Sequence, residues 1–122
     1  MLMTTINEQH AIATLHPEGV LTEKDFDQAA QIIDPFIEQG KKLNGLIIYT
    51  ESFPGWDSFS SLIRHLKFIN NHHKKVTHLA FVTDSTVGKL AEKIGNHFVA
   101  AEIRTFAFKQ LEDAKKWILE SN

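Results

Sequence analysis

The chain carries seven histidines and fifteen carboxylates but no cysteine. Without cysteine there are no disulfides, no thiolate nucleophile and no cysteine-ligated zinc or iron–sulfur centre. The histidines are spaced poorly for a metal. His65 and His72 are seven residues apart, about 10.5 Å along a helix, and His72 and His73 diverge by about 100°. No H-E-x-x-H pair, G-x-S-x-G elbow, P-loop or G-x-G-x-x-G turn occurs. The reading is a non-enzymatic protein with no catalytic residue, no metal and no cofactor. Polar and aromatic groups do concentrate in E-S-F-P-G-W-D-S-F-S-S-L, residues 51–62. There, the Asp57 or Ser58 side chain can cap the first amides of a helix.

Positioning that stretch requires an α/β framework. Weak alternation over 4–8 and 10–15 predicts a hairpin, ended by H-P-E-G. Thr22, with Asp25 three residues on, predicts the capped start of a first helix. Its core face is Phe26, Ala29, Ala30, Ile33 and Ile37, its end is Gly40-Lys41-Lys42, and Pro35 predicts a kink or break after Ile33. G-L-I-I-Y-T (45–50) and T-H-L-A-F-V-T (77–83) are continuous apolar runs, the mark of strands buried on both faces. A second helix is expected over 57–72 and a third over 85–98, with Asp84 or Ser85 as the latter's cap. A short strand over 102–108 and a closing helix over 110–119 complete the order β-β-α-β-α-β-α-β-α. Alternation of this kind needs right-handed crossovers, hence a mostly parallel sheet of four to five strands with an antiparallel edge hairpin and four main helices. With 122 residues and no linker or repeat, a single domain over 1–122 is expected.

One residue breaks the pattern of the second helix. Leu62, Ile63 and Leu66 lie within about 60° of Phe59, whereas Phe68 falls about 180° away among Ser61, Arg64, His65 and His72. From Ser58 to Thr83 there is no acidic residue, while Arg64, Lys67, Lys74 and Lys75 are basic; Glu23 to Glu38 holds five acids against Lys24 alone. A basic helix with exposed aromatics suits an anionic membrane surface, so Trp56, Arg64, Lys67 and Phe68 are candidates for membrane or partner contact. The same asymmetry can guide a homodimer by pairing the acidic face with the basic one. A net charge of −2 argues against nucleic acid. No signal-peptide pattern and no apolar run of membrane-spanning length occur, so a cytoplasmic chain is expected, with any membrane contact peripheral at the inner face.

The chain resembles the STAS domain and, within it, the SpoIIAA-like family of small bacterial proteins. The matching stretches are G-V-L-T-E-K-D-F, I-I-D-P-F-I-E, F-P-G-W-D-S-F-S-S-L-I-R-H-L-K-F, H-L-A-F-V-T-D-S and A-A-E-I-R-T-F-A-F-K-Q-L-E-D-A-K-K-W-I, nearly the whole length. The most distinctive is F-x-G-W, met by Phe53, Gly55 and Trp56. The resemblance implies a non-enzymatic binding module. Some members are thought to hold a small lipophilic molecule between helices, as CRAL-TRIO domains do. On that basis Phe59, Ile63, Leu66, Leu90 and Ile94 would wall a cleft between the second and third helices, with Phe53 and Trp56 at its mouth. The alternative implied by the resemblance is a regulatory switch that meets a protein partner, with phosphorylation at Ser58. In STAS antagonists the phosphoserine stands in D-S-(S/T)-G, whereas this chain reads D-S-F-S.

Overall fold

The two apolar runs pair side by side. β3 (Gly45–Tyr49) and β4 (His78–Val82) lie parallel, with Leu46 opposite Leu79 and Tyr49 opposite Val82. The computed structural model describes residues 1–19, 21–39, 43–52, 77–85 and 102–120, without the side chain of Ile37. The other strands are β1 (Leu2–Asn7), β2 (Ile12–Pro17) and β5 (Glu102–Phe106), in the sheet order β1-β2-β3-β4-β5. Only β1–β2 is antiparallel. Of the four expected helices the first and last are described: α1 (Glu23–Glu38) and α2 (Leu111–Glu120), the latter preceded by a 3-10 turn at Phe108–Gln110. The second and third fall outside the described residues.

The hairpin is displaced from its expected bounds. Its strands cover 2–7 and 12–17, and the turn takes up Glu8 to Ala11. There the His10 amide donates to Asn7 Oδ1 (3.1 Å) and Ala11 adopts φ 55°. Local side-chain bonding of this kind favours a turn over a strand, so polar residues that seemed to alternate became the loop.

α1 starts as its capping pair predicts. The Thr22 amide donates to Asp25 Oδ2 (2.9 Å), and the Asp25 amide donates back to Thr22 Oγ1 (3.3 Å). Of the kink or break expected after Ile33, the break does not occur: α1 runs unbroken through Pro35. The proline removes only the bond its own N–H would give one turn back. Ile33 (0% exposed) and Phe36 (4%) flank it in the core, and their packing carries the helix through.

The two sheet faces are covered differently. Against one, Phe26, Ala29, Ile33 and Phe36 of α1 pack on Leu2, Ala13, Leu15, Leu46, Ile48, Leu79 and Phe81. On the other, Ala114 and Ile118 of α2 meet Ile12, Ile47, Ala80 and Val82. Gly45 permits that approach, since a Cβ there would stand 2.5 Å from Ile118 Cδ1. At the amino end a seam holds the strands in register. The Asn44 amide donates to Ala11 O (2.8 Å), Thr77 Oγ1 to Asn44 O (2.9 Å) and the Glu102 amide to Thr77 O (3.0 Å).

Candidate functional site

In open sheets of this type, ligands and partners meet the carboxyl ends of the parallel strands. Here both central strands run into a threonine: Thr50 after β3 and Thr83 after β4, both buried. Each continues the ladder by one bond. The Thr50 amide donates to Val82 O (3.1 Å), and the Thr83 amide to Phe106 O (2.9 Å).

Their hydroxyls then turn outward from the ladder and tie neighbouring strand exits together. Thr50 Oγ1 lies 3.0 Å from Ser52 O and 3.3 Å from Pro17 O, so its one proton serves the exits of β2 and β3. Thr83 Oγ1 donates to Glu51 O (3.2 Å) and accepts from the Ser85 amide (3.2 Å). The Asp84 amide also donates to Glu51 O (3.3 Å), and Asp84 Oδ1 accepts from the Phe108 amide (3.0 Å). Asp84 or Ser85 is the expected cap of a third helix that lies outside the described residues; within them, Asp84 Oδ1 binds the exit of β5. Four strand exits thus form one ledge, and the buried hydroxyls in it are satisfied rather than exposed for reaction.

An aromatic row stands beside the ledge. Tyr49 and Phe108 stack with centroids 4.6 Å apart and planes 8° from parallel, and His16 approaches Tyr49 at 5.0 Å. Offset stacks of this kind contribute about 0.5–1.5 kcal/mol beyond their buried area. Next to the row opens a groove of about 330 Å³, walled by His16, Glu18, Thr50, Glu51 and Phe108. His16 Nε2 lies 3.4 Å from Glu18 Oε1, an ion pair whenever the imidazole is protonated. Gly19, at φ 63°, makes the turn that clears the groove's outer side. The rim is therefore polar and mainly acidic, with a flat aromatic wall, which suits docking of a polar or basic surface.

The sequence-predicted site is not among the described residues. Phe53, Trp56, Ser58, Phe59, Ile63, Arg64, Leu66, Lys67 and Phe68, and likewise Leu90 and Ile94, lie outside the described residues. The chain leaves the ledge at Ser52, immediately before Phe53, and rejoins the described structure at Thr77. Sequence reasoning missed Tyr49, Thr50, Thr83 and Phe108. A signal was present: each buried apolar run ends in threonine, a residue that seldom closes two buried strands without a hydroxyl partner.

Among the described residues no three His, Asp or Glu side chains gather as metal ligands, and no helix is long and apolar enough to cross a membrane. An antiparallel edge hairpin, four parallel strands with joined exits and helices on opposite faces make this an α/β domain of the STAS type. The chain belongs to the SpoIIAA-like family, whose profile matches residues 12–119. No curated protein and no solved structure matches it.

Proposed function

We propose that the chain is a non-enzymatic docking module that receives a regulatory protein at the carboxyl end of its sheet. The observation that carries this reading is the ledge, in which Thr50, Thr83 and Asp84 fix four strand exits beside the Tyr49–Phe108 stack. Rigid backbone under a polar rim is what a protein contact needs, because little ordering remains to be done on binding. The groove of His16, Glu18, Glu51 and Phe108 is too polar in its walls to favour a lipophilic molecule. A lipophilic-ligand role therefore rests on Phe59, Ile63, Leu66, Leu90 and Ile94 and on family resemblance. Phosphorylation at Ser58 belongs to the docking reading: it would add charge six residues beyond the ledge, on the segment that leaves it.

The test is capture of a defined partner on the immobilised full chain, with Glu51→Lys and Phe108→Ala as comparators. Loss of one protein with both variants is expected, with thermal stability unchanged in Glu51→Lys and lowered in Phe108→Ala only by the loss of its stack on Tyr49. Retention of the same proteins by all three baits, together with an apolar molecule carried through purification and seen by native mass spectrometry, would replace docking with ligand binding.

A further inference from the structure

The two edges of the sheet are built unlike one another. β5 is short, and Glu102 and Arg104 stand exposed on it. Charges of this kind are how proteins keep an edge from pairing with another chain. β1, L-M-T-T-I-N, has no charge, no proline and no glycine, and among the described residues nothing pairs with its outer side. Its hydrogen-bond parity is fixed by Met1 and Glu18, which exchange both backbone bonds (2.8 and 2.7 Å). Alternation then turns the N–H and C=O groups of Met3, Thr5 and Asn7 toward β2, and those of Leu2, Thr4 and Ile6 outward. Pro17 opposite Leu2 fits this parity, since its missing N–H falls where the β1–β2 ladder needs none.

Thr4 supplies a second, independent observation. Its hydroxyl is buried and is the one such side-chain atom without a hydrogen-bond partner among the described residues. Buried hydroxyls are rarely left unpaired.

We propose that β1 is the dimerisation edge, pairing antiparallel with β1 of a second copy about a two-fold axis at Thr4. The strand is self-complementary in that register. Leu2 falls opposite Ile6 of the partner, so apolar residues meet on the α1 face, and Met3 falls opposite Thr5 on the other. Thr4 meets its own copy, and rotation about χ1 turns each orphan hydroxyl to the other. About six backbone hydrogen bonds close across the axis. An uncharged strand meets its copy without like-charge repulsion, and a two-fold pairing closes on itself instead of growing a fibre. The product is one continuous sheet, with the β5 edges, carrying Glu102 and Arg104, at its ends.

Sedimentation equilibrium of the full chain tests this. A monomer–dimer equilibrium at micromolar concentration is expected; a monomer up to millimolar concentration overturns the proposal. The double variant Met3→Glu/Thr5→Glu sets like charges opposite one another and weakens the dimer at least about tenfold, whereas Met3→Lys/Thr5→Glu sets opposite charges and keeps it. Both alter the same exposed residues, and thermal melts report whether both fold. Equal dimerisation by the two variants would refute the register. The chain has no cysteine of its own, so Thr5→Cys with a short bismaleimide should yield covalent dimer and Arg104→Cys none; the reverse result places the contact on β5 and overturns the assignment.

Discussion

The two faces of the sheet bear helices of different length on different ground. α1 spans 16 residues and seats Phe26, Ile33 and Phe36 on Leu and Phe side chains that are almost wholly buried. α2 spans 10 residues and rests on Gly45, Ala80 and Val82, with Tyr49, Phe106 and Trp117 only half buried around it. His78 and Trp117 meet edge-on at 5.0 Å on this face, and Arg104 lies 5.2 Å above the Phe106 ring. Among the described residues, the α1 face holds the larger set of buried apolar side chains. The α2 face trades buried area for close approach and keeps its large aromatic rings half buried, Tyr49 beside the ledge and Trp117 against His78 at the start of β4.

Five substitutions bear on that contrast. The largest effect is expected from Phe81→Ala on the α1 face. Phe81 is fully buried, and its truncation should lower stability by about 3–5 kcal/mol in urea unfolding. A loss below about 1 kcal/mol would mean that this face is not the main core. The next is Gly45→Ala on the α2 face. The new methyl meets Cδ1, Cγ2 and Cγ1 of Ile118 at 2.5, 2.8 and 3.0 Å, so the whole side chain must shift, at a cost of about 1–3 kcal/mol. Combined with Ile118→Val, part of that cost should be recovered. Strict additivity in the double-mutant cycle would show that the two residues do not compete for space.

The smallest effect concerns the helix starts. Thr22→Ala should cost about 1 kcal/mol. The hydrogen bond from the Thr22 backbone amide holds the Asp25 carboxyl below its ordinary range, aided by the Thr22 hydroxyl and the N-terminal amine and opposed by burial. A depressed folded pKa stabilises the fold above the unfolded value of about 3.9, and that contribution is lost as pH falls through the folded value. Acid should therefore loosen α1 first. In the turn leading into α2 the Ala107 amide is held by a neutral group, Gln110 Oε1 (2.9 Å), and its exchange should not respond. Amide exchange between pH 5 and pH 3 reads both starts in one experiment, and Asp25→Asn should abolish the difference.

Where local chemistry decides structure, the sequence was enough. G-L-I-I-Y and H-L-A-F-V are strands because their runs are apolar on both faces, and Thr22 with Asp25 starts α1 because each satisfies the other's amide. Pro35 left a kink or a break open, and the break does not occur, because propensity weighs one lost bond and tertiary packing of Ile33 and Phe36 outweighs it. The hairpin bounds slipped because Asn7 bonds the His10 amide, a turn signal hidden inside weak alternation. The ledge was out of reach for a different cause. Asp84 and Phe108 are 24 residues apart and meet only after β4 and β5 pair, and nothing local to either announces the other. Nor does spacing disclose which face α2 takes; the narrow seat at Gly45 does, once β3 is known to pass beneath Ile118.

Strand order bears also on how the chain is made. Neighbours in the sheet are neighbours in sequence throughout, so each strand after β1 finds a partner already synthesised when it leaves the ribosome. The α1 side can be covered early, by a helix that precedes three of the five strands. Among the described residues, the opposite side is covered by Leu111–Glu120. Until that helix is made, Ile47, Ala80 and Val82 lack the contacts of Ala114 and Ile118, and apolar strands in that state are what chaperones that scan nascent chains bind.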